Sequence, residues 1–138
     1  MKRFILAALG ALALSWPAGA WDERSFGNSG SADPAAIFYS QDSISARFQD
    51  GSTVQQLIAK LSNGTTSAAT IPPIRIFWKR EWARWVTLDN RRLYAFKQAK
   101  RSKPDLRIRY VKTNLQTVQR ESFKFTSTNR GASIRVRR

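Results

Sequence analysis

The most constraining feature of this chain is a strand-like run that leads directly into a helix-like one. The apolar residues 85–88 are typical of a β-strand, and they end at Asp89 and Asn90, which both favour a helix N-terminus. Arg91 and Arg92 come next. The segment therefore predicts a strand, a tight turn and a helix that begins with two guanidinium groups. The helix is indicated by apolar residues at helical spacing, namely Leu93, Phe96 and Ala99.

The start of this predicted helix has the properties of an anion site. Unpaired amide N–H groups and the positive end of the helix dipole favour a negative group there. Arg91 and Arg92 add bidentate donors suited to phosphate, and Asn90 lies beside them. Because arginines in a first helical turn oppose the dipole, the pair calls for an anionic partner or a nearby carboxylate. We expect Asn90, Arg91 and Arg92 to bind phosphate; two solvated arginines are the alternative.

Residues 1–20 have the pattern of a secretory signal peptide. Two basic residues precede an uncharged apolar run at residues 4–14, and Pro17 and the small residues 18–20 complete a cleavage site. The run is shorter than the roughly 20 residues of a spanning helix, which argues against an uncleaved membrane anchor. We expect a periplasmic or secreted protein, without a transmembrane segment after cleavage.

The charge and the missing residue types limit the function further. The chain has 24 Lys and Arg against 9 Asp and Glu, a net charge of +15 that attracts nucleic acid, anionic lipid or an acidic protein. It has no cysteine, which excludes disulfides and thiolate metal sites. It has no histidine, which excludes HNH nucleases, Ser-His-Asp hydrolases and imidazole zinc sites.

Local patterns predict one α+β domain at residues 37–138 behind a flexible leader at residues 21–36. The leader is rich in Gly, Ser, Asn and Asp and has no apolar periodicity. Ser52 with Gln55 resembles a capping box, and it opens an amphipathic helix that ends at Asn63-Gly64.

The remaining patterns predict a mixed sheet with two or three helices. Alternating runs indicate strands, and Asn114 is expected to cap a short helix through Arg120. The predicted elements are a hairpin of residues 74–78 and 82–88, a helix at 91–100, a strand at 106–111, and a closing hairpin of 123–126 and 133–137.

Several motifs follow one another in an order shared with a known superfamily. They are the helix at 52–61, the strand entry Ile71-Pro72-Pro73-Ile74-Arg75-Ile76, and the turn Leu88-Asp89-Asn90-Arg91-Arg92-Leu93-Tyr94-Ala95, with further matches at 39–44 and 48–51. In these motifs the chain resembles the ParB-like domains of the ParB/sulfiredoxin superfamily, and most of all an exported, toxin-associated subgroup.

The resemblance implies a phosphate-contacting Arg-Arg turn, and nuclease or nucleotide-binding activity as in some members. A toxin of this kind would also have an immunity protein as a partner. Two departures matter. Asp89-Asn90 stands where chromosome-partitioning members have Gly-Glu, which argues against CTP binding, and the absence of cysteine excludes sulfiredoxin chemistry.

Cleavage of a phosphodiester without histidine needs either a carboxylate base assisted by arginines or a magnesium ion held by Asp and Glu. Asp89, beside the arginine pair, is the leading catalytic candidate. Asp42 and Asp50 belong to the other resembling motifs and are expected to converge on the same cleft. The alternatives are a plain helix cap for Asp89 and ordinary turn-forming roles for Asp42 and Asp50.

Basic residues on the predicted strands and helices are expected to contact nucleic acid, mostly at phosphates. Trp78, Trp82 and Trp85 lie among Lys and Arg on or beside the first hairpin, where they form either a base-stacking platform or a structural cover of the sheet. The expected contact residues are Arg75, Arg84, Lys97, Arg107, Arg109, Arg135 and Arg137.

Three functions fit these observations. The first is an exported nuclease-type toxin or effector that acts through the Arg91/Arg92 turn. The second is a non-catalytic module, expected to be monomeric, that binds nucleic acid or a nucleotide. The third is a cationic protein of envelope or lipid surfaces. The absence of histidine weighs against the first function, whereas the resemblance and the signal pattern favour it.

Overall fold

A strand hairpin forms the centre of the fold. In the computed structural model, which describes residues 22–138, β4 (Ile74–Lys79) pairs antiparallel with β5 (Arg84–Thr87) and parallel with β6 (Ile108–Lys112). From Ile74 to Phe77 the side chains of β4 alternate between buried and half-buried, as expected for a sheet with one face on the core. The predicted hairpin is confirmed.

Short strands complete two sheets. β1 (Ser29–Ala32) pairs antiparallel with β6, and β2 (Ile37–Phe38) pairs parallel with β5. The main sheet is therefore mixed, in the order β1-β6-β4-β5-β2. A second sheet consists of β3 (Ser43–Ser45) and β7 (Arg135–Arg137), which are parallel to each other.

Within residues 22–138, three α-helices accompany the sheets: α1 (Val54–Asn63), α2 (Asn90–Ala99) and α3 (Leu115–Arg120). The predicted α+β class, with a mixed sheet and two or three helices, is confirmed. Within residues 22–138, no helix has the length and apolar character needed to cross a membrane. Single 3₁₀ turns occur at Pro34–Ala36, Ala68–Thr70 and Ser122–Lys124.

The ends of α1 show why this segment is helical. The Thr53 hydroxyl accepts a hydrogen bond from the Gln56 amide at 3.0 Å, and the Gln56 side chain accepts one from the Thr53 amide at 2.8 Å. This capping box lies one residue after the predicted pair, because Ser52 instead bonds Asp50. Gly64 ends the helix in the left-handed conformation, with φ of 81°.

The main core lies between one face of the large sheet and the two longer helices. Ile74 and Ile76 of β4 and Leu93 and Phe96 of α2 are fully buried there. The strand-to-helix segment identified in the sequence therefore packs both its strand and its helix into a single core, and the start of α2 is fixed to the end of β5.

The predicted flexible leader at residues 21–36 is wrong in the part that the structure describes. Its residues 29–32 form β1, Ala32 is fully buried, and Phe26 packs against Trp85 and Tyr110. Backbone pairing at a sheet edge needs no apolar periodicity, so the Gly- and Ser-rich composition hid the strand. The predicted signal peptide at residues 1–20 lies outside the described residues.

The predicted closing hairpin is also wrong. Residues 122–124 form a 3₁₀ turn, and β7 pairs with the distant β3 instead of with a neighbouring strand. The amides of Thr126 and Ser127 both donate to the Ser40 carbonyl, so this segment is held by residues about 85 positions earlier in the chain. Alternation alone identified strand-like residues but not their partner.

We expect Gly131→Ala to lower the free energy of unfolding by at least about 2 kcal/mol. Gly131 has φ of 77°, and a Cβ there would lie 2.2 Å from the Tyr39 carbonyl oxygen. Urea unfolding of residues 22–138 measures the loss. Gly27→Ala is the control, because an added Cβ there meets no atom of the described residues within 4 Å. Equal stabilities of the two variants would contradict the prediction.

Candidate phosphate-binding groove

An open groove of about 730 Å³ lies between α1 and the N-terminus of α2. Its lining side chains come from several parts of the chain: positions between 41 and 60, Thr66, residues 71–72, residues 88–92, Lys124 and Arg137. Ile44, Leu57 and Leu88 form part of an apolar floor. The motifs that carried the resemblance in the sequence thus contribute to one concave surface. Its cationic side chains are Lys60, Arg91, Arg92, Lys124 and Arg137.

Asp89 stands at the N-cap position of α2 but does not cap it. Its side chain turns toward β4, where Oδ2 accepts from the Arg75 amide at 2.7 Å and from Nε at 3.0 Å, and Oδ1 accepts from Nη2 at 2.8 Å. Among residues 22–138, no side chain caps α2. The first-turn amides are therefore left without a side-chain acceptor.

Arg75 is the centre of an internal ion cluster. Besides Asp89 it binds Glu121, and Glu121 also pairs with Lys124 at 2.6 Å. Burial opposes ionisation of Asp89, but the hydrogen bonds from Arg75 and the positive charges of Arg92 and Arg75 together outweigh it and hold the pKa of this carboxyl below its ordinary value. The Asp89 hydrogen bond in turn raises the pKa of the Arg75 guanidinium. Asp89 is thus a fixed anion inside the fold.

Asn90 has a structural role in the described residues. It is 2% exposed, and its Oδ1 accepts from the Ser40 amide at 2.9 Å while its Nδ2 donates to the Ser40 hydroxyl at 2.9 Å and to Gln41 Oε1 at 3.1 Å. The amide side chain therefore clamps the loop after β2 to the start of α2. Because the side chain is occupied by these contacts, only the backbone N–H of Asn90 is left to take the role in phosphate binding that the sequence predicted.

The two arginines of the turn differ in their surroundings. Arg92 pairs with Asp89 at 3.3 Å and donates to the Pro72 carbonyl at 2.8 Å, so its donors hold the chain together. Arg91 donates one Nη1 hydrogen bond to the Arg47 carbonyl at 2.6 Å and lies 5.5 Å from the centre of the Phe48 ring. Its remaining donors leave Arg91 the better placed of the pair for a ligand.

Three further cations reach the groove from other elements. Lys60 projects from the exposed side of α1, Lys124 donates to the Leu88 carbonyl at 3.2 Å, and Arg137 of β7 donates to the Ser43 hydroxyl at 2.7 Å. Lys60 and Lys124 were not among the residues predicted from the sequence. The polar face of α1 was visible in the sequence, but its packing beside α2 was not.

Of the three predicted catalytic carboxylates, Asp89 and Asp50 line the same groove and Asp42 does not. Asp50 lines the groove, but its Oδ1 accepts from the Ser52 amide and hydroxyl, and these hydrogen bonds lower its pKa. Asp42 is exposed, and its Oδ1 accepts a hydrogen bond from the Thr126 hydroxyl. In the described residues, neither Asp42 nor Thr126 lines the groove. Within residues 22–138, no three acidic side chains come close enough to hold a metal ion.

Three of the predicted nucleic-acid contacts are engaged inside the domain. Arg75 belongs to the ion cluster, and Arg84 donates to the Arg130 carbonyl at 2.8 Å with its guanidinium 4.2 Å from the Phe38 ring centre. Lys97 lies 5.2 Å from the centre of the Tyr39 ring, and burial lowers the pKa of its ammonium group to about 8. These side chains stabilise packing and are poorly placed to reach phosphates.

The other four predicted contacts are exposed. Arg107 donates to the Ser31 carbonyl at 3.0 Å and Arg109 to the Ile71 carbonyl at 2.7 Å, both near the β1 edge. Arg135 and Arg137 project from β7, and Arg137 alone of these four lines the groove in the described residues.

Comparisons of the chain with protein-family models, with curated proteins and with solved structures found no match. The resemblance to ParB-like domains therefore stays a prediction, and the functional argument depends on the geometry of the groove.

We expect Asp89→Asn to lower the free energy of unfolding near neutral pH by about 2 kcal/mol or more, since it leaves Arg75 and Arg92 without their shared anion. The folded pKa of Asp89 lies below the ordinary value of 3.8. Its stabilisation is therefore complete above that value and is lost as the pH falls through the lower folded value.

Urea unfolding at a series of pH values measures both effects. The wild-type free energy should fall toward acid more steeply than that of the variant. Asp105→Asn, at an exposed carboxylate before β6, is the matched control and should change the free energy by less than about 0.5 kcal/mol. An Asp89→Asn curve parallel to the wild-type curve would contradict the assignment.

Proposed function

We propose that the groove binds phosphate groups of a nucleic acid or nucleotide. The observation that carries this proposal is the start of α2, where the N-cap side chain is drawn away to Arg75 and the first turn borders the groove. Amides without a capping acceptor, at the positive end of a helix dipole, favour an anion. Arg91, within that turn, and Lys60, on α1, add positive charge to the groove.

The long-range electrostatics support the same ligand. A net charge of +15 on the full chain raises the local concentration of any polyanion and speeds its encounter. The groove is also large enough for a nucleotide-sized group, and its apolar floor suits the less polar part of such a ligand. Phosphate provides the shared chemistry of nucleic acids and nucleotides.

The geometry supports binding over cleavage. Asp89 already accepts three hydrogen bonds from Arg75, so it is a poor base for activating water. Asp50 is engaged by Ser52, and Asp42 contacts Thr126. A non-catalytic binding module is therefore the function that we favour. A nuclease-type toxin, export and an immunity protein stay predictions from the sequence.

We expect Arg91→Gln to weaken binding of labelled RNA or DNA roughly tenfold or more, because it removes a charge-assisted contact with phosphate. Lys60→Gln should weaken it by a smaller factor. Fluorescence anisotropy over a range of salt concentrations gives the affinity and the slope of log K against log[salt]. That slope should fall by about one for each lost phosphate contact.

Arg101→Gln is the matched control, since this exposed arginine follows α2 but does not line the groove in the described residues. Equal losses for Arg91→Gln and Arg101→Gln would show a diffuse cationic surface instead of a site. Gel analysis of the same mixtures tests the nuclease prediction, because fragmentation by the wild type that Arg91→Gln abolishes would establish cleavage.

A further inference from the structure

A second concave surface, which we call the aromatic pocket, lies beside α3 and has a volume of about 520 Å³. Half-buried rings of Phe77, Trp78 and Phe125 line it, together with the Leu115 side chain, which is 70% exposed. The planes of Phe77 and Phe125 are 24° apart, with 5.4 Å between ring centres. The pocket therefore presents a small cluster of rings at the protein surface.

Cations stand directly beside these rings. Lys79 Nζ lies 5.2 Å from the centre of the Phe125 ring and 4.9 Å from that of Trp82, and Arg80 and Lys112 also line the pocket. Its acids are Glu23 and Glu81, and Glu81 is paired with Lys79 at 3.5 Å. Rings with an excess of positive charge match the two parts of a nucleotide, since bases stack on rings and phosphates pair with cations.

Trp85 also lines the aromatic pocket, but its ring is too buried to offer a face for stacking. It is 2% exposed, its Nε1 donates to the Asp22 carbonyl at 2.7 Å, and its ring meets Trp78 edge-on with centres 5.6 Å apart. Trp85 therefore has a structural role. The half-buried rings that a ligand can reach in the aromatic pocket are those of Phe77, Trp78 and Phe125.

The aromatic pocket adjoins the groove. Lys124 lines the groove and the next residue, Phe125, lines the aromatic pocket. On β4, Arg75 and Phe77 point to the same side of the sheet, away from Ile74 and Ile76 in the core. Arg75 holds Asp89 at the groove, whereas Phe77 stacks on Phe125 in the aromatic pocket. The two surfaces are thus linked by neighbouring residues of one segment, Lys124 and Phe125, and by one face of β4.

We infer that the aromatic pocket stacks one or two bases of a single-stranded nucleic acid whose phosphates lie in the groove. This inference rests on the proposed function and adds its substrate class. In a duplex the bases are paired and stacked on one another, so their faces are not open to protein rings. A site that combines phosphate contacts with stacking therefore selects unpaired strands.

The test compares Phe125→Leu, which removes a ring but keeps apolar volume, with Phe123→Leu. Phe123 is the matched control, because it lies on the same segment, is 74% exposed, and does not line the aromatic pocket in the described residues. The probes are a labelled oligothymidylate of about twelve nucleotides and a duplex of the same length. Anisotropy gives both affinities, and circular dichroism confirms that each variant is folded.

We expect Phe125→Leu to weaken oligothymidylate binding about fivefold or more and to leave duplex binding within about twofold. Phe123→Leu should match the wild type on both probes. Lys79→Gln/Arg80→Gln, at residues on the rim, provides a second variant if Phe125→Leu does not fold, and it should likewise weaken the single strand more than the duplex. Equal effects on the two probes would overturn the inference.

The outcome separates this inference from the proposed function. Arg91→Gln should weaken both probes, because it acts on phosphates. If Arg91→Gln weakens binding of both probes and Phe125→Leu weakens binding of neither, the proposed phosphate site in the groove is supported and the stacking site is overturned. The aromatic pocket would then fit a protein partner instead. If Arg91→Gln weakens neither, the proposed function fails, and the inference of a strand running from groove to pocket fails with it.

Discussion

The contact between Arg75 and Asp89 determines how the rest of this domain is arranged. It joins the first central strand to the turn that begins α2, through three hydrogen bonds from one residue to a single carboxylate. The same guanidinium reaches Glu121 after α3, so three separate parts of the chain meet at one cation. Removing either partner takes away three hydrogen bonds and leaves the other charge with one ion pair, Glu121 for Arg75 or Arg92 for Asp89. This costs more than losing an exposed surface ion pair.

The use of Asp89 inside the fold also explains why the groove has an open helix end. An aspartate at an N-cap position ordinarily accepts from the amides of the first turn and closes it to other anions. Here the carboxylate is oriented toward β4, and the Asn90 side chain binds the loop after β2 instead of the first turn of the helix. The energy that stabilises the turn therefore comes from contacts outside the helix, and the first-turn amides stay available at the edge of a cationic groove.

Features that depend on neighbours in sequence could be predicted, and features that depend on distant pairing could not. The hairpin of β4 and β5, α1 and α2 follow from alternation, helical spacing and caps within about ten residues. β1 lacks such a signal because its stability comes from backbone pairing with β6, about eighty residues later. The same holds for β7, whose parallel partner β3 is more distant still, and for Lys60, which reaches the groove only because α1 packs beside α2.

The arginines of this chain show why charge alone does not locate a binding site. Arg75, Arg84 and Arg92 direct their donors to internal carboxylates and carbonyls. Their charges therefore stabilise the packing of the domain, and they act on an anionic ligand only through long-range electrostatic attraction. Arg91 lies in the same turn as Arg92 and has the same chemistry, yet a single carbonyl and one ring account for its contacts in the described residues. The difference comes from the groups that each guanidinium binds in the folded domain. The sequence alone does not show these pairings. In the binding that we propose, a ligand phosphate competes with few internal acceptors at Arg91, so we expect Arg91 to contribute more than Arg92.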